Sequence, residues 1–497
     1  MSLRKRLFCL LLCLPLLTGC GKEPYDLPAP PKQSMEERQA EFLAFLEEVN
    51  AQRRSIYEDQ DPPQFDESWT PEPADLDSDF TPEERDALLR APDPFDPASE
   101  LRAPVSVTAE EARADVDLAF RLLRHSYGAY DYFGGDEVFL PLRDTALAAL
   151  PEEGEVTPEA LEKALVNVLG PVLVDGHFSV GGTSFGALHA QYMYYVPGLY
   201  FDDPEGVDPR LVKPTIDEEG RLRLTLATTA TPEAAERLLP ETATIQGTAM
   251  ALSWKGDGAV ARKGEDIFRE TTVLNGVPLL TSTSMMAVNE RQREQLERLA
   301  ACGKEYADAP VLVLDLRGNG GGSDTYFDRW FQGYLDADRP PELRGAASWK
   351  LSGLTLHLYE TYFGSMEGFP ELPETPQWMN VFSGAGRMAE RQGLTLTLQD
   401  KGTASSGEAA AQHTRAGGNT LTIGGCTRGS CLTPNVFAFY LPHSGVTLRF
   451  GTGLGLYEDM SNRDGKGWLP DLWVPTDQAQ ERARAMIEYY DLTELFA

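Results

Sequence analysis

One short run of residues limits the fold of this chain more than any other. Residues 311–315 are apolar up to a final aspartate, and a turn with four glycines in five positions, 318–322, follows directly. A strand without a polar face is expected where both sides of a sheet are covered. Glycines permit positive φ angles and close approach, and successive N–H groups in such a turn can bind an anion. The turn is equally compatible with a purely structural role.

Helices and strands are both predicted along the rest of the chain. Apolar residues at helical spacing predict a helix over 42–49, and Ser34 with Glu37 forms a capping box before it. Thr108 and Thr157 have the spacing of helix N-caps. Strands interleaved with helices favour an α/β or α+β fold. Further helices are expected near 289–304 and 476–490, and further strands at 394–398, 420–423, 436–441 and 446–450.

The N-terminus predicts export and lipid attachment. Three basic residues, 4–6, precede a short apolar run, 7–17, and the sequence Leu-Thr-Gly-Cys20 then resembles the bacterial lipobox. We therefore expect residues 1–19 to be a lipoprotein signal peptide and Cys20 to carry the lipid. The alternative is an ordinary signal peptide with an incidental cysteine. Dual acylation gives a stable membrane anchor, so an extracytoplasmic location at a bacterial membrane is predicted.

Charge and composition predict three regions in the rest of the chain and argue against nucleic acid as a partner. The 77 acidic and 44 basic residues give a net charge of −33, which excludes binding to nucleic acid through a basic surface. Residues 20–105 are acidic and rich in proline, which predicts an extended tether interrupted by a short helix. Residues 106–171 are predicted to be a helical subdomain, and 172–497 an α/β domain.

Cysteine spacing suggests one disulfide. Cys426 and Cys431 are separated by four residues and could close a small loop in an oxidising compartment, which leaves Cys302 without a partner. No histidine or second cysteine pair lies at zinc-ligand spacing nearby. The sequence gives no sign of a metal or an organic cofactor.

A serine and a histidine stand in segments that could carry chemistry. Ser405 lies in Gly-Thr-Ala-Ser-Ser-Gly-Glu408, between a predicted strand and a predicted helix, where a hydroxyl is exposed near a helix N-terminus. The same spacing of Ser405 and Glu408 also fits a capping box. His177 follows Asp175-Gly and could act as a general base, or it could be an ordinary surface or core histidine. The other histidines cannot be ranked from sequence: His125, His189, His357, His413 and His443.

Taken in order, Asp-Gly-His, Asp-Leu-Arg-Gly-Asn-Gly-Gly-Gly and Gly-Thr-Ala-Ser-Ser-Gly-Glu resemble the tail-specific (C-terminal-processing) serine peptidases over about residues 107–475. The branch with tricorn core and retinoid-binding-protein relatives is the closer resemblance. It implies an α/β sandwich core of the crotonase and Clp-peptidase kind, preceded by a small helical bundle. No convincing PDZ domain is visible between His177 and Val311.

The resemblance also implies roles for individual residues. Ser405 takes the place of the nucleophile. Backbone N–H groups of the glycine turn, at Gly321 with Gly322 beside it, and of Ser406 take the place of the oxyanion hole.

The general base is where this chain departs from the processing branch. That branch uses a lysine 25 residues after the serine, and this position is Ser430. The tricorn-like branch uses an upstream histidine, which His177 matches, and Lys401 is the rival base nearest in sequence. A carboxylate downstream of the serine orients that histidine. Glu458 is the best match, with Asp459 and Asp464 as rivals.

The sequence therefore predicts a lipid-anchored extracytoplasmic serine peptidase that cleaves a peptide or protein substrate by a Ser–His mechanism. The alternative is an inactive peptidase-fold lipoprotein that binds peptides or cell-envelope partners. An esterase ranks lowest because the Gly-x-Ser-x-Gly elbow is absent. Substrate preference and oligomeric state stay open.

Overall fold

The structure, a computed structural model, describes most of the chain from residue 33 onward. The predicted signal peptide and Cys20 lie outside the described residues. The described ranges are 33–57, 61–72, 76, 80–89, 104–203, 205–238, 242–260, 264–274, 276–337, 343–362 and 370–497.

Helices occur along the whole described chain. The α-helices are α1 (Met35–Tyr57), α2 (Pro82–Leu89), α3 (Ala109–Ser126), α4 (Gly135–Ala148), α5 (Pro158–Leu169), α6 (Phe185–Leu188), α7 (Pro232–Leu238), α8 (Glu290–Cys302), α9 (Thr325–Tyr334), α10 (Gly353–Tyr362), α11 (Ser406–Arg415), α12 (Ala479–Tyr489) and α13 (Leu492–Leu495). Short 3₁₀ turns lie at Glu67–Trp69, Pro209–Leu211 and Gly303–Tyr306. Within the described ranges, no helix combines the length and apolarity needed to cross a bilayer.

Strands are short and spread over several sheets. They are β1 (Val107–Thr108), β2 (Glu155–Val156), β3 (Ser179–Val180), β4 (Thr183–Ser184), β5 (Tyr192–Tyr195), β6 (Val212–Ile216), β7 (Leu222–Ala230), β8 (Thr242–Ile245), β9 (Thr248–Ala251), β10 (Lys255–Asp257), β11 (Phe268–Thr272), β12 (Pro278–Ser282), β13 (Val311–Asp315), β14 (Gly345–Leu351), β15 (Gln377–Gly384), β16 (Leu394–Gln399), β17 (Thr420–Gly424), β18 (Val436–Tyr440), β19 (Thr447–Gly451), β20 (Gly453–Tyr457) and β21 (Leu472–Trp473).

The largest sheet confirms the predicted α/β fold. Its strand order is β11-β12-β13-β16-β17-β21, and all neighbours are parallel except the edge pair β11–β12. Every residue of β13, β16 and β17 is buried. Both faces of the sheet are covered, which explains the apolar run at 311–315.

Alternate residues of β13 pack into two different cores. Val311 and Val313 pack in the cluster that contains residues of α1 and α12, whereas Leu312 and Leu314 pack with residues of α8 and α9. The period of two along a strand sends successive side chains to opposite faces. The sheet is thus the middle layer between two layers of helices.

Helix α1 is part of the folded body, although the sequence predicted an extended tether around it. Phe42, Leu46 and Val49 are buried in the core on one side of the main sheet. Arg53 donates to the carbonyl of Thr420 at 2.7 Å and pairs with Asp471 at 2.6 Å. The predicted Ser34–Glu37 capping box is present. Because its apolar stripe is buried against the main sheet, α1 belongs to the folded domain, although the sequence around it is acidic.

The helices between 109 and 169 pack with a small antiparallel sheet that carries the Asp-Gly-His segment. The Thr108–Glu111 capping box begins α3, and Thr157 caps α5, both as predicted. The sheet has the order β18-β19-β3-β4, and its antiparallel β18–β19 pair confirms the strands predicted at 436–441 and 446–450. Since β3 begins at Ser179, this sheet fixes the residues that follow His177.

Candidate active site

The glycine turn and the Ser405 turn meet because they follow neighbouring parallel strands. Asp315, the last residue of β13, pairs with Leu398 of β16. The Leu316 N–H donates to the Leu398 carbonyl at 2.9 Å, which continues the ladder beyond β13. Carboxyl ends of parallel strands lie at one edge of a sheet, where α/β proteins place their ligand sites.

Two polar side chains hold these turns together. Asp400 accepts the N–H groups of Gly318 and Gly402, each at 2.8 Å. The Asn319 carbonyl accepts the Ala404 N–H at 2.8 Å, and the Asn319 side chain donates to Ser282. Neither residue is among the candidate site residues predicted from sequence. Asp400 directly follows a strand and lies two residues before Gly402, which is a signal that could have identified it.

Ser405 is accessible to solvent and has an unusual backbone conformation. It is partly exposed, whereas residues 401–404 and 406–408 are all buried. Its φ of 52° and ψ of −126° lie far from the extended backbone of an N-cap residue. Positive φ in a residue other than glycine is strained and is concentrated at active sites. Glu408 accepts the Ser405 N–H at 3.1 Å, as in a capping box, while the Glu408 N–H donates to the Ser405 carbonyl at 2.7 Å.

The glycine turn lies in direct contact with Ser405. A Cβ atom on Gly321 would lie 2.8 Å from the Cβ of Ser405 and 3.0 Å from the nitrogen of Ser406. Gly321 also has a φ of 93°, so this position requires glycine twice over. The Ser406 hydroxyl donates to the Gly322 carbonyl at 2.8 Å.

The backbone N–H groups of Gly321, Gly322 and Ser406 differ in whether they already have an acceptor. The N–H of Gly321 donates to Asn319 Oδ1 at 2.9 Å. Within the described residues, the N–H groups of Gly322 and Ser406 donate to no protein acceptor. Of the three residues implied for the oxyanion hole, Gly322 and Ser406 therefore have available donors, and Gly321 does not.

His177 lies in a turn that Asp175 organises. One oxygen of Asp175 accepts the His177 N–H at 2.8 Å. The other accepts the hydroxyl groups of Tyr127 and Thr433, each at 2.8 Å. Tyr127 is the C-cap residue that follows α3, so the helical region helps to place this turn.

Burial lowers the pKa of His177, and the carboxylates of Asp175 and Glu408 partly oppose this shift. His177 is partly exposed as a residue, but its Nδ1 is buried and has no hydrogen-bond partner among the described residues. A lowered pKa favours the neutral imidazole at neutral pH, which is the form that can accept a proton.

Glu408 connects the serine segment to the histidine segment. Besides the Ser405 N–H, its carboxylate accepts the N–H groups of Gly429 and Ser430, each at 2.8 Å. A Cβ atom on Gly176 would lie 2.3 Å from Ser430 Oγ, so the residue before His177 lies directly against this loop. The serine and histidine segments are thus linked through Glu408 and the loop that contains Ser430, while the glycine turn contacts Ser405 directly.

The three carboxylates considered as partners of the histidine have different surroundings. Glu458 pairs with Arg415 at 3.1 Å and Arg463 at 3.6 Å. Asp459 pairs with Arg463 at 3.0 Å and its side chain is 60% exposed. Asp464 is buried and accepts the Gly176 N–H at 2.7 Å. Burial and the neighbouring Asp175 raise the pKa of Asp464. A bond from Glu458 to His177 stays a prediction.

Lys401 is a structural residue in this fold. Its Nζ donates to the carbonyl groups of Thr427, Arg428 and Gly465 at 2.8–3.0 Å. These bonds use all three of its donors, and burial lowers its pKa. Ser430, at the position of the processing branch's lysine, is buried with no partner for its hydroxyl among the described residues.

The predicted disulfide is not formed. Cys426 and Cys431 are free thiols, as is the buried Cys302. Cys426 Sγ faces the Gln191 carbonyl at 3.9 Å, whereas the Cys431 N–H is held by Asp464 at 2.8 Å. The backbone between the two cysteines is fixed by carboxylates, and sequence spacing alone could not reveal this.

The remaining histidines lie in other surroundings. His125 is buried and stacks edge-on against Phe80, His189 Nε2 lies 2.8 Å from the Gly170 carbonyl, and His357 is exposed. His413 lies near Asp328 and His443 near Glu111.

Comparison with known families gives one match. Residues 277–474 match the family model described as Peptidase family S41. The matched segment contains the glycine turn and Ser405, whereas His177 precedes it. Comparison with curated proteins finds no match.

Solved structures also align with the chain. A putative peptidase from Parabacteroides merdae ATCC 43184 shares 14% identity over 78% of this chain and 97% of its own, with a TM-score of 0.41. Mature CPAF shares 12% identity over 78% and 98%, with a TM-score of 0.43. The photosystem II D1 C-terminal processing protease shares 12% identity over 75% and 97%, with a TM-score of 0.36.

Proposed function

We propose that the chain carries a serine-type peptidase domain of family S41, the tail-specific peptidases, with Ser405 as its nucleophile and His177 as its general base. The observation that carries the proposal is the backbone of Ser405. This one partly exposed residue in a buried turn is held at positive φ, in contact with Gly321 and at the start of a helix. A nucleophile presented on a strained strand-to-helix turn is a recurring solution in hydrolases.

The proposed reaction gives each of these groups one role. His177 removes the proton from the Ser405 hydroxyl as the oxygen attacks the peptide carbonyl. The oxyanion is stabilised by the N–H groups of Gly322 and Ser406, helped by the N-terminus of α11. His177 then protonates the leaving amine and activates the water that hydrolyses the acyl-enzyme.

We further propose that Cys20 is lipidated, so that the enzyme is held at the extracytoplasmic face of a bacterial membrane. Because α1 packs on the catalytic body, only residues 21–34 separate Cys20 from it. Fourteen residues span at most about 50 Å. The proposed enzyme therefore works close to the membrane surface, rather than at the end of a tether that reaches to residue 105.

Replacing the nucleophile tests the proposed activity. Ser405→Ala should abolish cleavage of a peptide library, read by mass spectrometry, and should change the melting temperature little. Loss of a helix-cap contribution would cost only about 1 kcal/mol. Ser461→Ala removes another hydroxyl, on an exposed residue bonded to Asp459, and should remain active. A wild-type protein that binds peptides but never cleaves them would support the inactive binding protein instead.

Replacing the lipid-bearing cysteine tests the proposed anchor. Cys20→Ser should move the protein from the membrane fraction to the soluble extracytoplasmic fraction and abolish palmitate labelling. Cys302→Ser, which changes a buried thiol in the folded body, should leave the membrane association intact. Palmitate labelling that survives Cys20→Ser would refute the lipobox assignment.

A further inference from the structure

Four consecutive backbone N–H groups are divided between two buried carboxylates. Gly429 and Ser430 donate to Glu408, each at 2.8 Å. Cys431 and Leu432 donate to Asp464 at 2.8 Å and 3.1 Å. Loop 429–432 is therefore bound along its whole length by side chains from two other parts of the chain.

Each carboxylate also takes one N–H group from the proposed catalytic segments. Glu408 accepts the N–H of Ser405 itself at 3.1 Å. Asp464 accepts the N–H of Gly176, the residue before His177, at 2.7 Å. We call Glu408, Asp464 and loop 429–432 together the carboxylate clamp. It forms a continuous chain of hydrogen bonds from the proposed nucleophile to the turn of the proposed base.

The clamp also makes a close steric contact with the histidine turn. A Cβ atom on Gly176 would lie 2.3 Å from Ser430 Oγ and 2.6 Å from Ser430 Cα. The histidine turn thus packs against loop 429–432 and is also hydrogen-bonded to Asp464, which binds the same loop. A shift of loop 429–432 must move Gly176, and His177 with it.

We infer that Asp464 is a positioning residue, which sets the separation between His177 and Ser405 through loop 429–432. The inference rests on the proposed Ser–His mechanism. From sequence, Asp464 is a candidate direct partner of the histidine ring, whereas in the structure it accepts the backbone N–H of Gly176, before the ring. Both carboxyl oxygens of Asp464 accept N–H groups, one from Gly176 and the other from Cys431 and Leu432, whereas an amide would turn an NH₂ group toward one side. Misplacement of reacting groups by about 1 Å can cost about 100-fold in rate.

The test compares two buried aspartates in the full-length enzyme. Asp464→Asn should lower kcat on a peptide substrate by about 10- to 100-fold and leave KM within about twofold. Asp115→Asn is the matched control, because Asp115 is also buried and accepts two consecutive N–H groups, those of His443 and Ser444. It should lower the melting temperature to a similar extent while kcat stays near the wild-type value.

The possible outcomes separate this inference from the proposed function. An inactive wild-type enzyme overturns both, whereas an active wild type with equal kcat in Asp464→Asn and Asp115→Asn overturns only the positioning role. If Asp464→Asn fails to fold, Glu408→Gln is judged by the same kcat criterion. A crystal structure of the wild type phosphonylated on Ser405 needs no substitution, and Gly176 N beyond hydrogen-bond distance of Asp464 there would overturn the inference.

Discussion

Ser405 and His177 are held by different kinds of structure. Ser405 and the glycine turn follow two adjacent parallel strands, β13 and β16, so the register of the main sheet brings them together. His177 lies in a loop between α5 and β3 that is held by side chains, chiefly Asp175 and Asp464. The half of the site with the proposed nucleophile is therefore built into the sheet, while the half with the proposed base depends on bonds between residues distant in sequence.

This difference decides how each half should respond to substitution. A buried sheet resists local change because many backbone bonds and packed side chains share its register. A loop held by a few carboxylates moves when one of them is lost. We expect substitutions near Ser405 to lower activity through steric contact. Substitutions near His177 should lower activity through the loss of hydrogen bonds.

The largest effect beyond loss of Ser405 is expected from loss of the base. His177→Ala should lower kcat/KM by about 10³-fold or more, because serine and base act as a unit. Lys401→Ala is the comparison, assayed on the same peptide. It should keep most activity per folded molecule but melt at lower temperature, since each unpaired buried carbonyl costs about 1–3 kcal/mol. An active His177→Ala with an inactive Lys401→Ala would return the site to a Ser–Lys mechanism.

A smaller but still large effect is expected from crowding the nucleophile half. Gly321→Ala places a methyl group 2.8 Å from the Cβ of Ser405 at a φ of 93°, and kcat should fall about 100-fold. Gly320→Ala is the matched control one residue away, where a Cβ atom meets nothing within 4 Å. It should stay within about threefold of wild type. Equal activity in the two variants would mean that the glycine turn does not shape the site.

The smallest effect concerns the pH dependence. Burial lowers the pKa of His177, so the neutral base persists to lower pH than for a free imidazole. We expect kcat/KM to be constant near pH 7 and to fall with acid through an apparent pKa below about 6.5. A pH–rate profile measured on one peptide checks this. An acid limb above pH 7 would contradict the described surroundings of His177.

The parts of the fold that follow local patterns could be predicted from sequence. The apolar run of β13 and the capping boxes at Ser34 and Thr108 are signals within a few residues, and all three are confirmed. The glycine turn and the Ser405 segment each form one continuous motif, so both segments of the proposed nucleophile half can be located from sequence alone.

The parts that depend on distant partners could not be predicted. Asp464 and Gly176 are 288 residues apart, and no periodic pattern links them. The carbonyl partners of Lys401 and the free state of the two cysteines could not be predicted for the same reason, because the carbonyl and carboxylate partners lie on other segments. The acidic, proline-rich composition around helix α1 predicts a tether. The short apolar stripe of α1 does not reveal, from sequence alone, that it packs on the main sheet.

Labelling with a fluorophosphonate probe tests the central claim most directly, because the probe reacts only with an activated serine. The Ser–His account predicts that the wild-type protein is labelled, that mass spectrometry places the adduct on Ser405, and that labelling is lost in Ser405→Ala and His177→Ala but kept in Lys401→Ala. A folded wild-type protein that is not labelled, or an adduct that forms at full rate in His177→Ala, would contradict it.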